Sequence, residues 1–218
     1  MVPHFLTLEA AALGLLALFM SFTFSMALSR FDARQNLVIE ETNSIGTAAL
    51  RAGLLPESAS AETRSLFHRY VEIRVALGRE PPTPEALAAG FRESGELWNQ
   101  LWQKAKAATA ADPHSIPAGL LVQALTEMSD LQEKRLAASR NHVPFEAFLL
   151  LDAIAIVSLG LAGYVGGLTG GKGRIVVGMV SVLVASVIGV TGDLDRSRIG
   201  FIQVNEQPFY DLLQSMEP

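Results

Sequence analysis

The chain has no cysteine, so disulfides, thiolate metal sites and cysteine nucleophiles are all excluded at once. Charge is also scarce, at 18% of residues against about 25% in an ordinary soluble domain. The 17 basic residues are outnumbered by 22 acidic ones and form no dedicated patch, which argues against nucleic acid as a partner. Only four histidines occur, His4, His68, His114 and His142, and they share no metal-ligand spacing. HExxH, GxSxG and phosphate-loop patterns are missing too, so no enzyme, no metal and no cofactor is expected. Strand-type alternation and 20-to-50-residue repeats are equally lacking, which leaves an all-α chain that is not a solenoid.

What is abundant is apolar mass: half of the 218 residues are hydrophobic and the mean hydropathy is +0.30. This mass is concentrated in three uncharged runs, residues 10–29, 153–171 and 175–192. Each approaches the ~20 residues that an α-helix needs to cross a ~30 Å hydrocarbon layer. The expected organisation is a first transmembrane helix within 1–29, a helical domain over 30–142, a transmembrane hairpin over 143–192 and a tail over 193–218. The first run has no basic residue before it and is longer than a signal-peptide core, so it is expected to stay as an anchor. Seven basic residues flank the membrane on the side of the large domain, against Lys172 and Arg174 on the other. The positive-inside rule then puts the domain and the C-terminus in the cytoplasm and the N-terminus in the periplasm.

The domain mixes 13 basic and 14 acidic residues, as solvated helices do. Apolar faces can be drawn through Leu66, Phe67, Tyr70, Ile73, Val75 and Leu77, and through Leu120, Leu121, Ala124, Leu125, Met128, Leu131 and Leu136. Leu54-Leu55-Pro56 and the stretch 78–82 end helices, and Thr83-Pro84-Glu85 opens one. For the next helix two starts compete, Asp112-Pro113 and Ser115-Ile116-Pro117. The glycine-rich run 166–173 is expected to form a tight turn. No proline or turn dipeptide interrupts residues 9–46, so the first span is expected to continue into a domain helix ending near Ala52, a rod of ~60 Å or more.

Two ionisable groups fall within the spans, Glu9 and Asp152; both lie near the ends of their runs, where snorkelling competes with a functional role. Small residues recur at Ser181, Ala185 and Gly189 and at Gly160, Gly163 and Gly167, spacings that allow close helix approach within or between subunits. The first span interleaves Phe19, Met20, Phe22, Phe24 and Met26 with Ser21, Thr23 and Ser25, hydroxyls suited to a wet path. Three crossings are too few to enclose a pathway, so conduction would require a homo-oligomer with a central axis. Asn43 and Thr47, one turn apart, are candidates for a vestibule beyond it or for ordinary contacts between helices.

The stretches LGLLALFMSFTFSMALSRFDAR (13–34), NLVIEETNSIGTAALRAGLLP (36–56) and GDLDRSRIGFIQVNEQPFYDL (192–212) resemble the bestrophin-like domain family of bacterial membrane proteins. The chain is similar, more distantly, to the bestrophins, pentameric ion channels with a hydrophobic neck on a membrane helix. That resemblance implies a pentameric channel of the bacterial inner membrane, with itself, the bilayer and inorganic ions as partners. It places Arg30-Phe31 after the neck helix and puts Leu18 and Phe22 at neck positions. The third neck position is Gly14, which carries no side chain to constrict a pore, and Asp32 stands where a second aromatic is expected. Asp193, Asp195 and Gly200 match the C-terminal motif, while Ser197 replaces its proline and no acidic cluster follows, so calcium gating is not implied. Three membrane helices instead of the usual four are a further departure. The competing expectation is a non-conducting scaffold or sensor whose cytoplasmic helices bind a partner.

Overall fold

The computed structural model describes residues 2–78, 83–168, 171–196 and 200–217. Among them every regular element is a helix: α1 (Val2–Ala52), α2 (Glu57–Gly78), α3 (Pro84–Ala111), α4 (Ile116–Arg140), α5 (Phe145–Leu168), α6 (Gly171–Asp195) and α7 (Gln207–Ser215). The uninterrupted α1 follows from the absence of breakers noted above. The chain divides into two compact units, Met1–Asp32 with Arg140–Gln203, and Ala33–Ser139 with Val204–Pro218.

The first unit holds the membrane-spanning segments. Stretches within Phe5–Ala52, Ile116–Leu168 and Gly173–Asp195 are long and apolar enough to cross a bilayer, with mean hydropathies of 2.0, 2.1 and 2.4. Leu16, Leu151, Ala155 and Val184 form a small core between α1, α5 and α6. Ser158 Oγ donates to the Ala12 carbonyl at 3.0 Å, a polar tie between two spans where water is scarce. The glycine run closes α5 and opens α6, and the expected tight turn falls on the two residues between them. Residues 166–168 close α5 and 171–173 belong to α6, while Thr169 and Gly170 lie outside the described residues. Gly166 is buried because the hairpin closes on it: a Cβ there would sit 3.1 Å from Val177 Cγ2 and 3.3 Å from the Gly173 carbonyl. The other small-residue positions are less enclosed. Among the described residues nothing lies within 4 Å of a Cβ at Gly160, Gly163, Gly167 or Gly189, and Ala185 is exposed. Close packing inside the hairpin therefore uses Gly166 and leaves these stripes open.

The second unit is a helical bundle with an apolar core. Val38, Ile45 and Ala48 of α1 meet Phe67, Tyr70 and Val71 of α2, Leu97 and Leu101 of α3, Leu121, Leu125 and Met128 of α4, and Phe209 of α7. Each large side chain buried this way contributes roughly 1.5–3 kcal/mol. Trp98 and Trp102, one turn apart on α3, stack with centroids 5.6 Å apart at the edge of this core. Thr83 caps α3 as its sequence suggests, accepting from the Ala86 N–H at 3.2 Å. Of the two competing starts for α4, Ser115 prevails: the helix begins at Ile116, and Asp112 instead accepts from the His114 N–H at 3.0 Å in the preceding turn. Leu136, placed on the apolar face of α4 by its spacing, is exposed.

Candidate functional site

Within the first unit, α1 has two unlike faces. Leu13, Leu16, Phe19 and Met20 pack against α5 and α6. On the opposite side Leu18 and Phe22 are 51% and 61% exposed, and a Cβ at Gly14 would meet nothing within 4 Å. The spacing 14, 18, 22 follows the helix turn by turn, so the three positions share one face. Ser21 and Ser25 are exposed, whereas Thr23 is buried and donates to the Phe19 carbonyl at 2.8 Å. Only part of the hydroxyl series is thus free to meet water. Glu9 is half-buried and Asp152 is exposed on α5; neither joins an ion pair among the described residues.

The family-motif residues also meet within this unit. Arg30 Nε donates to Asn141 Oδ1 at 3.3 Å. Phe31 packs with Phe24, Phe148 and Ile202 around buried Ala27, Val143 and Leu194. Asp193, at the end of α6, accepts from the backbone N–H groups of Phe201 at 3.0 Å and Ile202 at 2.8 Å. Asp195 Oδ1 accepts from the Val143 N–H at 2.8 Å, and His142 Nδ1 lies 2.9 Å from the Asp195 carbonyl. Two short acids thus fasten the segment after α6 and the start of α5. Gly200 has φ +149°, and a Cβ there would collide with the Asp193 carboxylate. Gly200→Ala should therefore cost about 1–3 kcal/mol in backbone strain alone, read as a lowered melting temperature of the solubilised protein. Ser197 lies outside the described residues.

In the second unit the free side of α1 continues with polar residues. Glu40, Asn43 and Thr47, together with Gln123, Thr126, Glu127, Asp130 and Lys134 of α4, line a groove of about 760 Å³ whose other lining residues are Ser44 and Leu131. Asn43 and Thr47 thus share one water-accessible surface. Among the described residues no three histidine or carboxylate groups converge as a metal site would require.

The same unit holds a buried charge cluster that the sequence reading did not single out. Glu41 is fully buried, 2.9 Å from Arg74 Nη2 and 2.7 Å from Arg135 Nη1. Arg135 also pairs with Glu206 just before α7, and the Arg74 and Arg135 guanidinium groups stand 5.4 and 5.3 Å from the ring centre of Phe209. One signal was present: Glu41 sits on the same helical stripe as Val38, Ile45 and Ala48. Next to the cluster, burial pushes the Tyr70 phenol up to about 12 from its ordinary 10.0, with Arg74 and Arg135 pulling it down and Glu41 adding to the rise. The folded state therefore keeps its proton where the unfolded state loses it. Stability from this group is intact below pH 10 and is lost as pH rises toward 12. Among the described residues the buried Tyr70 hydroxyl has no hydrogen-bond partner, so Tyr70→Phe should cost little at neutral pH. The variant should also flatten the decline measured by urea unfolding between pH 9 and pH 12.

The bestrophin-like domain pattern matches residues 8–209. Among curated proteins no sequence match is found. Among solved structures, a mutant of the bacterial bestrophin homologue from Klebsiella pneumoniae superposes with a TM-score of 0.75 at 17% identity, covering 97% of this chain and 84% of that one. A second mutant of that homologue gives 0.74 at 18% identity, covering 96% and 84%. The homologue phased with zinc gives 0.71 at 18%, covering 99% and 84%. The architecture described above is thus the fold of these structures.

Proposed function

The chain belongs to the bestrophin-like domain family, and from that premise we propose that it is a homo-oligomeric, pentameric ion channel of the bacterial inner membrane whose axis is lined by α1. The observation that carries this reading is the unpaired face of α1, where Leu18 and Phe22 are exposed while the opposite face is packed. One subunit with three crossings cannot close a pathway, and five copies of this face around an axis can. Rings of Phe22 and Leu18 form a constriction that gates by dewetting, and Gly14 leaves the pathway wider on its other side. Asn43 and Thr47 line a cytoplasmic vestibule, and Arg30, Phe31, Asp193, Asp195 and Gly200 hold the membrane helices in place around it. Ions are the cargo, and neither cofactor nor catalysis enters the mechanism. The Arg and Lys distribution orients the helical domain and C-terminus toward the cytoplasm and the N-terminus toward the periplasm.

Particle images of detergent-solubilised protein should show five subunits around an axial opening, and planar-bilayer recordings should show unitary currents. A stable monomer would end this reading. A reporter fused after Pro218 should be active in the cytoplasm, and export of that reporter would reverse the orientation. The bare Gly14 position favours a second reading, a scaffold or sensor whose cytoplasmic helices recruit a partner. A closed pentamer that passes no current under any voltage would favour it.

A further inference from the structure

Asp152 has no role in the channel reading, yet its position demands one. It stands two turns, about 10 Å, into the apolar span of α5, where an ionisable side chain facing hydrocarbon is costly and marks a polar partner or a wet path. Its own subunit offers no ion-pair partner among the described residues, and the residue is exposed. A wet path is not at hand either. α5 packs on the side of α1 that carries Leu16, Phe19 and Met20, behind the face assigned to the pathway.

The face that Asp152 begins is suited to contact between helices. Ile156, Gly160, Gly163 and Gly167 follow it turn by turn, all exposed, and among the described residues nothing lies within 4 Å of a Cβ at any of the three glycines. Small residues at this spacing let a second backbone approach, and a polar side chain beside them ties it in place. The complement lies on α6. One of its flanks is bulky, with Val176, Met179 and Leu183 exposed, whereas the other is small, with Gly178, Ala185 and Gly189 exposed. Depth matches as well. Leu151 and Ala155 share a core with Val184 and Ile188, so Asp152 is level with residues 186–189 of α6. Ser186 is exposed there, one turn before Gly189, and its hydroxyl donates to the Val182 carbonyl at 2.8 Å within its own helix. Such a hydroxyl rotates to suit its acceptor and can turn to a carboxylate.

The two faces differ, belong to one chain and lie at one depth. Rotation about an axis along the membrane normal preserves depth, so α5 of one copy meets α6 of the next in a head-to-tail contact that closes into a ring. We propose that the Asp152 face of α5 docks on the small flank of α6 of a second copy of this chain, where the Asp152 carboxylate accepts from the hydroxyl of Ser186 of the partner subunit. This contact rests on the homo-oligomer of the proposed channel and is independent of whether the protein conducts.

The chain has no cysteine, so introduced cysteines report alone. Full-length I156C and A185C, coexpressed in membranes and oxidised, should give cross-linked dimers that neither variant gives by itself. D152L should raise the subunit concentration at which the solubilised oligomer dissociates by about tenfold or more, as read by light scattering. D152N keeps a hydrogen-bonding group and should stay within about threefold of the wild type. Both substitutions lie at an exposed position, so an unchanged melting temperature of the subunit separates lost contact from lost fold. An intact oligomer with no mixed cross-link would overturn the contact while leaving the channel reading in place. So would cross-linking of I156C to itself, or a D152L oligomer as durable as the wild type. A wild-type monomer would overturn both readings together.

Discussion

Replacing Glu41 by alanine should destabilise the helical unit by about 3–5 kcal/mol, the usual consequence of removing one partner from a buried ion pair. Glu41 is fully buried and pairs with two guanidinium groups at once, Arg74 at 2.9 Å and Arg135 at 2.7 Å. Without it, two cations remain in an apolar core beside Phe209, and only Arg135 keeps a carboxylate, that of Glu206. Trp98 and Trp102 report on this unit, so urea unfolding followed by their fluorescence should show the loss as a lower midpoint. The same cluster ties four helical segments together, since Glu41 is on α1, Arg74 on α2, Arg135 on α4 and Glu206 at the start of α7. Arg74→Met should therefore cost less than Glu41→Ala, because Glu41 then keeps Arg135. A double-mutant cycle between Glu41 and Arg74 should show strong coupling. A loss below 1 kcal/mol for Glu41→Ala would mean that the cluster is hydrated and not structural.

Why this cluster escaped the sequence, while the helix plan did not, comes down to the range of the interactions. Thr83-Pro84-Glu85 opens α3 through a hydrogen bond three residues long, and the unbroken α1 needs only the absence of breakers. These are local rules, and local rules can be read from a string. The three uncharged runs were readable for the same reason, because bilayer thickness converts directly into residue count. The pairings of Glu41 with Arg74 and of Arg135 with Glu206 join residues 33 and 71 positions apart, and nothing in the spacing selects those partners from the other charges. In the run 166–173 glycine serves two purposes. Its frequency suggests a turn between the helices, and at Gly166 its missing side chain also lets α6 approach. Asp112 and Ser115 are both good caps, and composition alone did not choose between them. The site residues divide similarly. The spacing of Leu18 and Phe22 puts them on one face by helix geometry alone, whereas the bonds from Asp193 to the Phe201 and Ile202 N–H groups required the chain to double back.

The largest functional effect is expected at Phe22. If its ring forms a dewetting constriction, Phe22→Ala should raise ion flux into liposomes roughly tenfold, the change produced by lowering a barrier by about 1.4 kcal/mol. Leu18→Ala should act in the same direction and less strongly, because less apolar surface is removed. Helix geometry supplies the control. Phe19 is also aromatic but packs against the core formed with α5 and α6, so Phe19→Ala should lower stability without raising flux. Gly14 supplies the test of opposite sign. A side chain there meets nothing within 4 Å, so Gly14→Leu should fold normally and add a third apolar ring, lowering flux below that of the wild type. Gain at Phe22, loss at Gly14 and neither at Phe19 together require that one face of α1, and no other, borders the pathway. Equal flux from Phe22→Ala and wild type would remove Phe22 from the neck. Gain of flux from Phe19→Ala would show that the conducting face had been assigned to the wrong side of the helix.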